Sequence, residues 1–403
     1  MRIADSLPIR DWRFDRALTV AEFMRRALYD PVDGYYARAA QRSGRAGDFF
    51  TSVDVGPLFG ELLEIQIAEI FRILYDKSET AEVAENAKQE NVGSANTANV
   101  AVPSFDLVEA GAGNGRLSAD ILGAARTRHP ALYAATRLHL VETSPAARAA
   151  QRITLGDAAD RLVTSDAALP DSFEGVLLAN ELFDAMPVHQ VVMTAKGLRE
   201  IYVESDGGRL SAVAADPSTP RLATYLDAVG VRLERGWRVE INLAAIDWIR
   251  DAARRLRRGF MILIDYGHEA RELYSVTHSA GTLTAFHGHR SAGPEDAATP
   301  AWLRHPGEQD LTAHVDSTSL RAAAEGEGMT TIALLDQTYF LMGLLQGGIA
   351  DRESPNPQSS IRNSQLKTLL MPGGLGSTMK VLILGKQVGR PRLQGCSFAV
   401  RMT

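Results

Sequence analysis

The chain has 403 residues, 45% of them hydrophobic and 23% charged, with a formal net charge of −6. That balance suits a globular protein with a sizeable core and argues against bulk nucleic-acid binding, which needs a basic footprint. A single cysteine, Cys396, excludes an intrachain disulfide framework and a cysteine zinc site, and no apolar run reaches the length of a membrane span.

The first segment, residues 1–76, reads as helical and lid-like. Its opening residues lack a signal-peptide core, so a cytoplasmic, reducing compartment is expected. Thr19 and Glu22 form a T-x-x-E capping box ahead of the periodic apolar residues Phe23, Met24, Ala27 and Leu28. Pro31 and Gly34 end that helix, and LFGELLEIQIAEIFRILY predicts a second one. Residues 77–104 are polar, small and free of aromatics, which predicts a flexible loop. From Phe105 the pattern alternates. FDLVEA, LHLVE, RLVTSD, GVLLANE, GFMILIDYG, TTIALLD and KVLILGK read as about seven strands separated by helices. This predicts an α/β, Rossmann-like sheet with a core over 105–187 that resumes over 241–403. Two stretches interrupt the repeat. Residues 188–240 alternate around Asp206-Gly207-Gly208 and read as an inserted antiparallel hairpin or meander. Residues 281–316 are irregular and rich in His, Gly and Pro. Both follow strand ends on the carboxyl side of the sheet, where open α/β folds bind ligands. Arg254, Arg255, Arg257 and Arg258 read as a solvated helix end.

The strongest local signal is Glu109-Ala110-Gly111-Ala112-Gly113-Asn114-Gly115, a strand running into glycines and then a helix. Gly111, Gly113 and Gly115 allow a tight turn and a close backbone approach to a ligand, and the helix start presents free N–H groups. Glu142 closes the second strand, where its carboxylate can accept hydrogen bonds from both hydroxyls of a ribose. Asp166 closes the third strand, either meeting the adenine amino group or capping its own turn. Dinucleotide binding prefers Gly-x-Gly-x-x-Gly; here the third glycine comes one residue early and Arg116 follows it. That spacing disfavours an NAD-dependent oxidoreductase and favours a mononucleoside such as S-adenosylmethionine.

Ten stretches carry a family resemblance: GYY, GDFFTS, PLFGELL, LVEAGAGNGRLSADIL, VETSPAARAAQ, ANELFDAMPVHQ, LIDYG, GTLTAFHGH, PGEQDLTAHVD and GGLGSTMKVLILGK. They run in order from Gly34 to Lys386, and the chain resembles the MidA-like family of class I S-adenosylmethionine-dependent methyltransferases, which includes a mitochondrial arginine methyltransferase of complex I assembly. Ala112 stands where the family often has proline, and Val53-Asp54 replaces a usual Pro-Glu. The resemblance implies S-adenosylmethionine as cofactor and arginine methylation of a protein substrate, with a respiratory complex I subunit as the candidate. A homodimer is an allowed assembly. It directs attention to Asn180, Glu181 and Asp184 beside the methyl-bearing end of the cofactor. Because a guanidinium stays protonated, a carboxylate must orient it and offset its charge. Glu181 and Asp184 are the candidates for that work, with Asn180 as an orienting amide; the alternative is that Asn180 and Asp184 only cap the next helix. Glu109 and the lid residue Asp48 join the expected cofactor set, with Phe49 or Tyr36 stacking on the ligand. His287, His289, His305, His314, Asp310 and Asp316 match no compact metal motif, so no metal is expected and they read as satisfied structural groups. Two competing functions are methylation of another acceptor and a cofactor-binding assembly factor without obligatory turnover.

Overall fold

The computed structural model describes residues 12–37, 51–75, 104–207, 209–287, 290–292, 300–348, 358–370 and 378–398. The expected loop over 77–104, Ser104 apart, lies outside these, as do Asp48, Phe49 and His289.

In chain order the elements begin with β1 (Leu18–Thr19), α1 (Val20–Tyr29) and α2 (Leu58–Tyr75). The capping box forms: Glu22 N donates to Thr19 Oγ1 at 3.1 Å, and Thr19 N donates to Glu22 Oε2 at 2.9 Å. Then come β2 (Phe105–Ala110), α3 (Arg116–Arg128), α4 (Pro130–Ala135), β3 (Thr136–Val141), α5 (Pro145–Leu155), β4 (Leu162–Asp166) and β5 (Phe173–Asn180). An inserted run follows, with β6 (His189–Thr194), β7 (Gly197–Asp206), β8 (Arg209–Ala215), α6 (Arg221–Ala228) and β9 (Arg238–Ile241). Next are α7 (Leu243–Arg255), β10 (Leu256–His268), α8 (Ala270–Leu273), β11 (Thr284–His287), β12 (Arg290–Ala292), β13 (Asp310–Thr312) and β14 (Val315–Asp316). The chain closes with α9 (Ser317–Glu325), β15 (Thr330–Asp336), α10 (Gln337–Gly348), α11 (Gln358–Leu370) and β16 (Met379–Lys386).

The main sheet runs β15-β16-β10-β5-β2-β3-β4, with β14 added beside the end of β10. The five strands from β10 to β4 are parallel, whereas β16 is antiparallel to both its neighbours. All seven expected strands are therefore present. The inner strands β2, β3, β5, β10 and β16 are nearly continuously buried because both their faces are covered, whereas β4 is exposed and β15 half-exposed at the edges. Leu107, Val176, Leu178, Ile262 and Ile383 face one layer with α2, α3 and α10, while Val108, Leu177, Met261, Leu263 and Leu382 face the other with α6, α7 and α9. Since β3 and β5 flank β2 on opposite sides, the carboxyl end of β2 lies at a switch point, where a crevice opens.

The inserted strands make a second sheet, β1-β7-β6-β9 with β8 on β7, and β12-β11-β13 make a third. Residues 281–316 thus contain regular strands where the composition suggested irregular chain. The N-terminal segment divides between layers. α1 joins a cluster with Val188, Ile201, Trp302 and Leu311, whereas α2 packs on the main sheet. The arginine cluster is largely paired. Arg254 bonds Glu327 at 2.6 and 2.9 Å, Arg255 bonds Asp251 at 2.8 Å, and Arg258 bonds the Leu74 carbonyl at 3.1 Å. Among the described residues no helix is long and apolar enough to cross a membrane.

Two glycines let β5 run between its neighbours. Gly175 and Gly259 pair in register with φ of 144° and 135°. A Cβ on Gly175 would stand 2.3 Å from the Asp106 carbonyl oxygen, and one on Gly259 2.0 Å from that of Gly175. Backbone atoms cannot swing aside, so Gly175→Ala should cost more than about 2 kcal/mol in denaturant unfolding. Gly123→Ala, in α3 with nothing within 4 Å of its Cβ, should instead be stabilising by about 0.5–1 kcal/mol. Equal effects of the two would contradict this packing.

Candidate functional site

A cavity of about 580 Å³ opens at the carboxyl ends of β2, β3 and β5, within the range of small-molecule sites. Its floor is the glycine turn. Gly111, Gly113 and Gly115 have φ of 71°, 51° and 84°, a left-handed region that L side chains adopt only at a cost. A Cβ on Gly111 would press Leu182 at 3.1 Å and one on Gly115 would press Leu140 at 3.2 Å. One on Gly113 meets nothing within 4 Å. The first and third glycines are therefore needed for packing and the middle one for openness.

Glu142 braces this turn from β3. Gly113 N donates to Glu142 Oε2 at 2.8 Å and Ser144 N donates to Oε1 at 2.7 Å. Each oxygen keeps another acceptor position, so the carboxylate can still receive two hydroxyls. Gln151 Nε2 donates to the Gly113 carbonyl at 2.8 Å and holds the turn from α5. Glu109 also lines the cavity, but its carboxyl is 4% exposed and accepts the amide and hydroxyl of Ser118 in the first turn of α3. Burial raises it to about 7. It acts on the turn as a brace. Asp166 is exposed and does not line the cavity; its Oδ1 accepts the amide of Ala167, which does.

At the end of β5 the chain turns sharply. Glu181 has φ of 52°, one of two non-glycine residues in the left-handed region among the described residues. Such strain persists only where surroundings enforce it. Glu181 N donates to the Ile264 carbonyl at 2.8 Å, while Asp265 Oδ2 accepts the amides of Leu182 at 3.1 Å and Phe183 at 2.7 Å. The Glu181 carboxyl accepts Ser52 N at 3.3 Å and Asn180 Nδ2 at 3.2 Å. Asn180 Oδ1 is buried without a partner, although Asn180 lines the cavity.

Around this turn sits a group of carboxyls, Asp184 and Asp265 buried and Glu181 half-buried at the cavity. Burial first, and Asp184 next, push Glu181 up to about 8. Asp184 is raised well above the usual carboxylate range by burial, then by Asp265 and Asp310. Asp265 is pushed up to about 7, chiefly by burial. Burial and mutual repulsion, rather than a neighbouring cation, dominate their titration, so the site is preset for a positively charged ligand. The wall opposite comes from the N-terminal segment. Tyr36 Oη donates to Asp310 Oδ1 at 2.8 Å, and Tyr29 Oη donates to the Ala185 carbonyl at 3.0 Å.

The structure thus brings Glu109, Gly111, Gly113, Glu142, Asn180, Glu181 and Tyr36 to one cavity, with Gly115 behind it in the same turn. Asp184 lies just beneath, its carbonyl accepting the amide of Ala313 at 2.9 Å. Asp54, which departs from the family pattern, lines the cavity while its carboxylate caps Thr51 at 2.8 and 3.0 Å. Asp265 and Tyr29 escaped the sequence reading. The one signal for Asp265 was its position at the end of the fifth strand. Asp48 and Phe49 fall outside the described residues. The grouping of His305, His314, Asp310 and Asp316 dissolves: Asp310 meets Tyr36, and Asp316 caps α9 and accepts Tyr225 Oη at 2.7 Å. His314 is not a satisfied group, because its buried Nδ1 has no hydrogen-bond partner.

Comparison with known proteins agrees with this geometry. The family model described as "Putative S-adenosyl-L-methionine-dependent methyltransferase" matches residues 89–335. The mitochondrial protein arginine methyltransferase NDUFAF7 of Mus musculus is 31% identical over 354 residues, covering 81% of this chain and 70% of that protein. Its Drosophila melanogaster homolog is 28% identical and covers 91% of this chain and 81% of its own. A Burkholderia thailandensis protein crystallised with S-adenosyl-homocysteine bound shares 26% identity at a TM-score of 0.78, over 96% of this chain and 92% of that one.

A carboxyl with a raised folded-state pKa favours folding while protonated. Its contribution is complete below the unfolded value, about 4, and is lost as the pH rises through the folded value. For Glu181 that folded value is about 8. Glu181→Gln should therefore gain stability relative to the unsubstituted protein from about pH 5 upward, levelling off above about pH 8. Thermal unfolding of both ligand-free proteins across that range checks it; a pH-independent difference would contradict the buried carboxyl.

Proposed function

The chain belongs to the S-adenosyl-L-methionine-dependent methyltransferase family whose pattern spans most of it, its cofactor is S-adenosylmethionine, and we propose that the methyl acceptor is an arginine side chain of a protein substrate. The observation that carries this reading is the group of carboxyls at the end of β5, raised by burial and by one another in a site that receives a cation. The curated relatives' name, protein arginine methyltransferase, supports it.

When bound, S-adenosylmethionine supplies a methyl group on a positively charged sulfur. The glycine turn gives the nucleoside its seat, and Glu142 accepts from the ribose hydroxyls. Asn180 Oδ1 is a buried acceptor awaiting an N–H donor. Glu181 accepts hydrogen bonds from the guanidinium and aims one terminal nitrogen at the methyl carbon; alignment of this kind supplies much of the rate in a direct displacement. As the nitrogen–carbon bond forms, the sulfur–carbon pair stays on sulfur and the nitrogen must lose a proton. Glu181 takes it, a role that fits a carboxyl whose pKa already lies far above the usual carboxylate range. Asp184, buried beside Asp265 and Asp310, is held toward its neutral form and ionises only as a cation arrives beside it. Tyr36 and Tyr29 line the cavity from the N-terminal segment.

A respiratory complex subunit is the substrate to try first. The relatives are named mitochondrial, and the cytoplasmic compartment expected from the sequence remains part of this proposal.

Three outcomes test the reading. Gly113→Val places a β-branched side chain at φ of 51° facing the cavity, and should weaken S-adenosyl-homocysteine binding at least ~10-fold by calorimetry. Glu181→Gln should lower methyl transfer to arginine peptides by about 100-fold or more, leaving cofactor affinity within a few-fold. Labelled methyl from S-adenosylmethionine should appear on arginine after incubation with the substrate proteins. Label on another side chain would overturn the acceptor, and loss of cofactor binding in Glu181→Gln would overturn the residue's role.

A further inference from the structure

Outside the cofactor cavity, three histidines from separate segments converge. His268 ends β10, His278 closes the short turn Val276–His278, and His314 lies between β13 and β14. Their ring centroids are 5.0, 5.3 and 5.7 Å apart. One ring nitrogen of each lies within 4.8 Å of those of the other two. None of the three lines the large cavity.

Ordinary packing does not account for this arrangement. Neutral imidazole has one donor and one acceptor nitrogen, and buried polar atoms are nearly always partnered. Yet Nδ1 of His268 and Nδ1 of His314 are both buried with no hydrogen-bond partner. His268 Nδ1 stands 3.1 Å from Glu272 Oε1 without the alignment of a hydrogen bond. His278 Nδ1 lies 3.2 Å from the Glu272 carbonyl oxygen. Thr277 Oγ1 also lies 3.3 Å from that Nδ1; with the proton on Nδ1 and donated to the carbonyl, Nε2 keeps a free lone pair, the outer contact commonly made by a metal-bound histidine.

We propose that His268, His278 and His314 bind one divalent transition-metal ion of the zinc type. Imidazole nitrogen suits zinc, nickel and copper, and three rings from separate segments converge here within reach of one ion. Tetrahedral zinc at about 2.0–2.1 Å from each nitrogen requires nitrogens about 3.3 Å apart, so modest ring rotations close the site. The Glu272 carboxylate, on a side chain 61% exposed, can swing into the fourth position or leave it to water. The ion's role is positional. His268 is three residues beyond Asp265, which pins the turn after β5, and His314 follows Ala313, whose amide holds the Asp184 carbonyl. An ion here would tie β10 to the 281–316 insertion directly behind that turn. The site stands whatever the methyl acceptor is.

The test is metal titration of the full chain after chelator treatment, with cobalt(II) read by its visible absorption and zinc by displacement of the cobalt. The unsubstituted protein should bind one equivalent. His278→Ala and His314→Ala should each weaken binding by more than the ~10–100-fold that losing an outer-shell partner costs. S-adenosyl-homocysteine binding retained in His278→Ala, at the more open turn, shows that the fold survives. Absence of one-equivalent saturable binding, or binding unchanged in both variants, would overturn the site.

Discussion

The turn after β5 depends on one side chain from the neighbouring strand. Asp265 leaves the end of β10 and accepts the amides of Leu182 and Phe183, while Glu181 N is held by the Ile264 carbonyl. A left-handed conformation costs a non-glycine residue about 1–2 kcal/mol. A hydrogen bond contributes about 0.5–1.5 kcal/mol, so the two on Asp265 together with the one on the Ile264 carbonyl offset that cost. The constraint turns the Glu181 carboxyl into the crevice instead of along the strand. It also buries a second carboxyl beside it, which is why acidic groups gather there.

The same logic of fixing backbone with buried carboxyls runs through the rest of the site. Glu142 braces the glycine turn from β3, Glu109 braces α3 behind it, and Asp310 receives Tyr36 from the N-terminal segment. Segments far apart in sequence therefore meet at one cavity, held there by acidic groups taking N–H or O–H donors. Burial raises Glu109 to about 7 and Glu181 to about 8. A cationic sulfonium and a guanidinium both satisfy such a surface, and each would draw protons off it on binding.

The inner strands of the main sheet were legible because both faces are covered, so each reads as a mainly apolar run bounded by turns, while the exposed edge strand β4 was legible from its place in the strand–helix alternation. The glycine turn, Glu142 and Glu181 were legible because each sits at a strand end in a fixed order along the chain. Asp265 was not, because it acts on amides more than eighty residues earlier, and nothing local in LIDYG separates that role from a surface aspartate. The bond between Tyr36 and Asp310 spans 274 residues and has no sequence signature. β1 has two residues and pairs with β7, too short to carry a period. The histidines misled for a related reason. Grouping them by proximity in sequence joined His314 to His305 and His287, whereas the fold joins it to His268 and His278 through two turns.

The most direct test is a crystal structure of this chain with S-adenosyl-homocysteine bound. The account predicts the ribose hydroxyls on Glu142 and the sulfur facing Glu181 and Asn180 across the turn after β5. A nucleoside seated elsewhere, or a sulfur turned away from Glu181 toward Asp166, would contradict it.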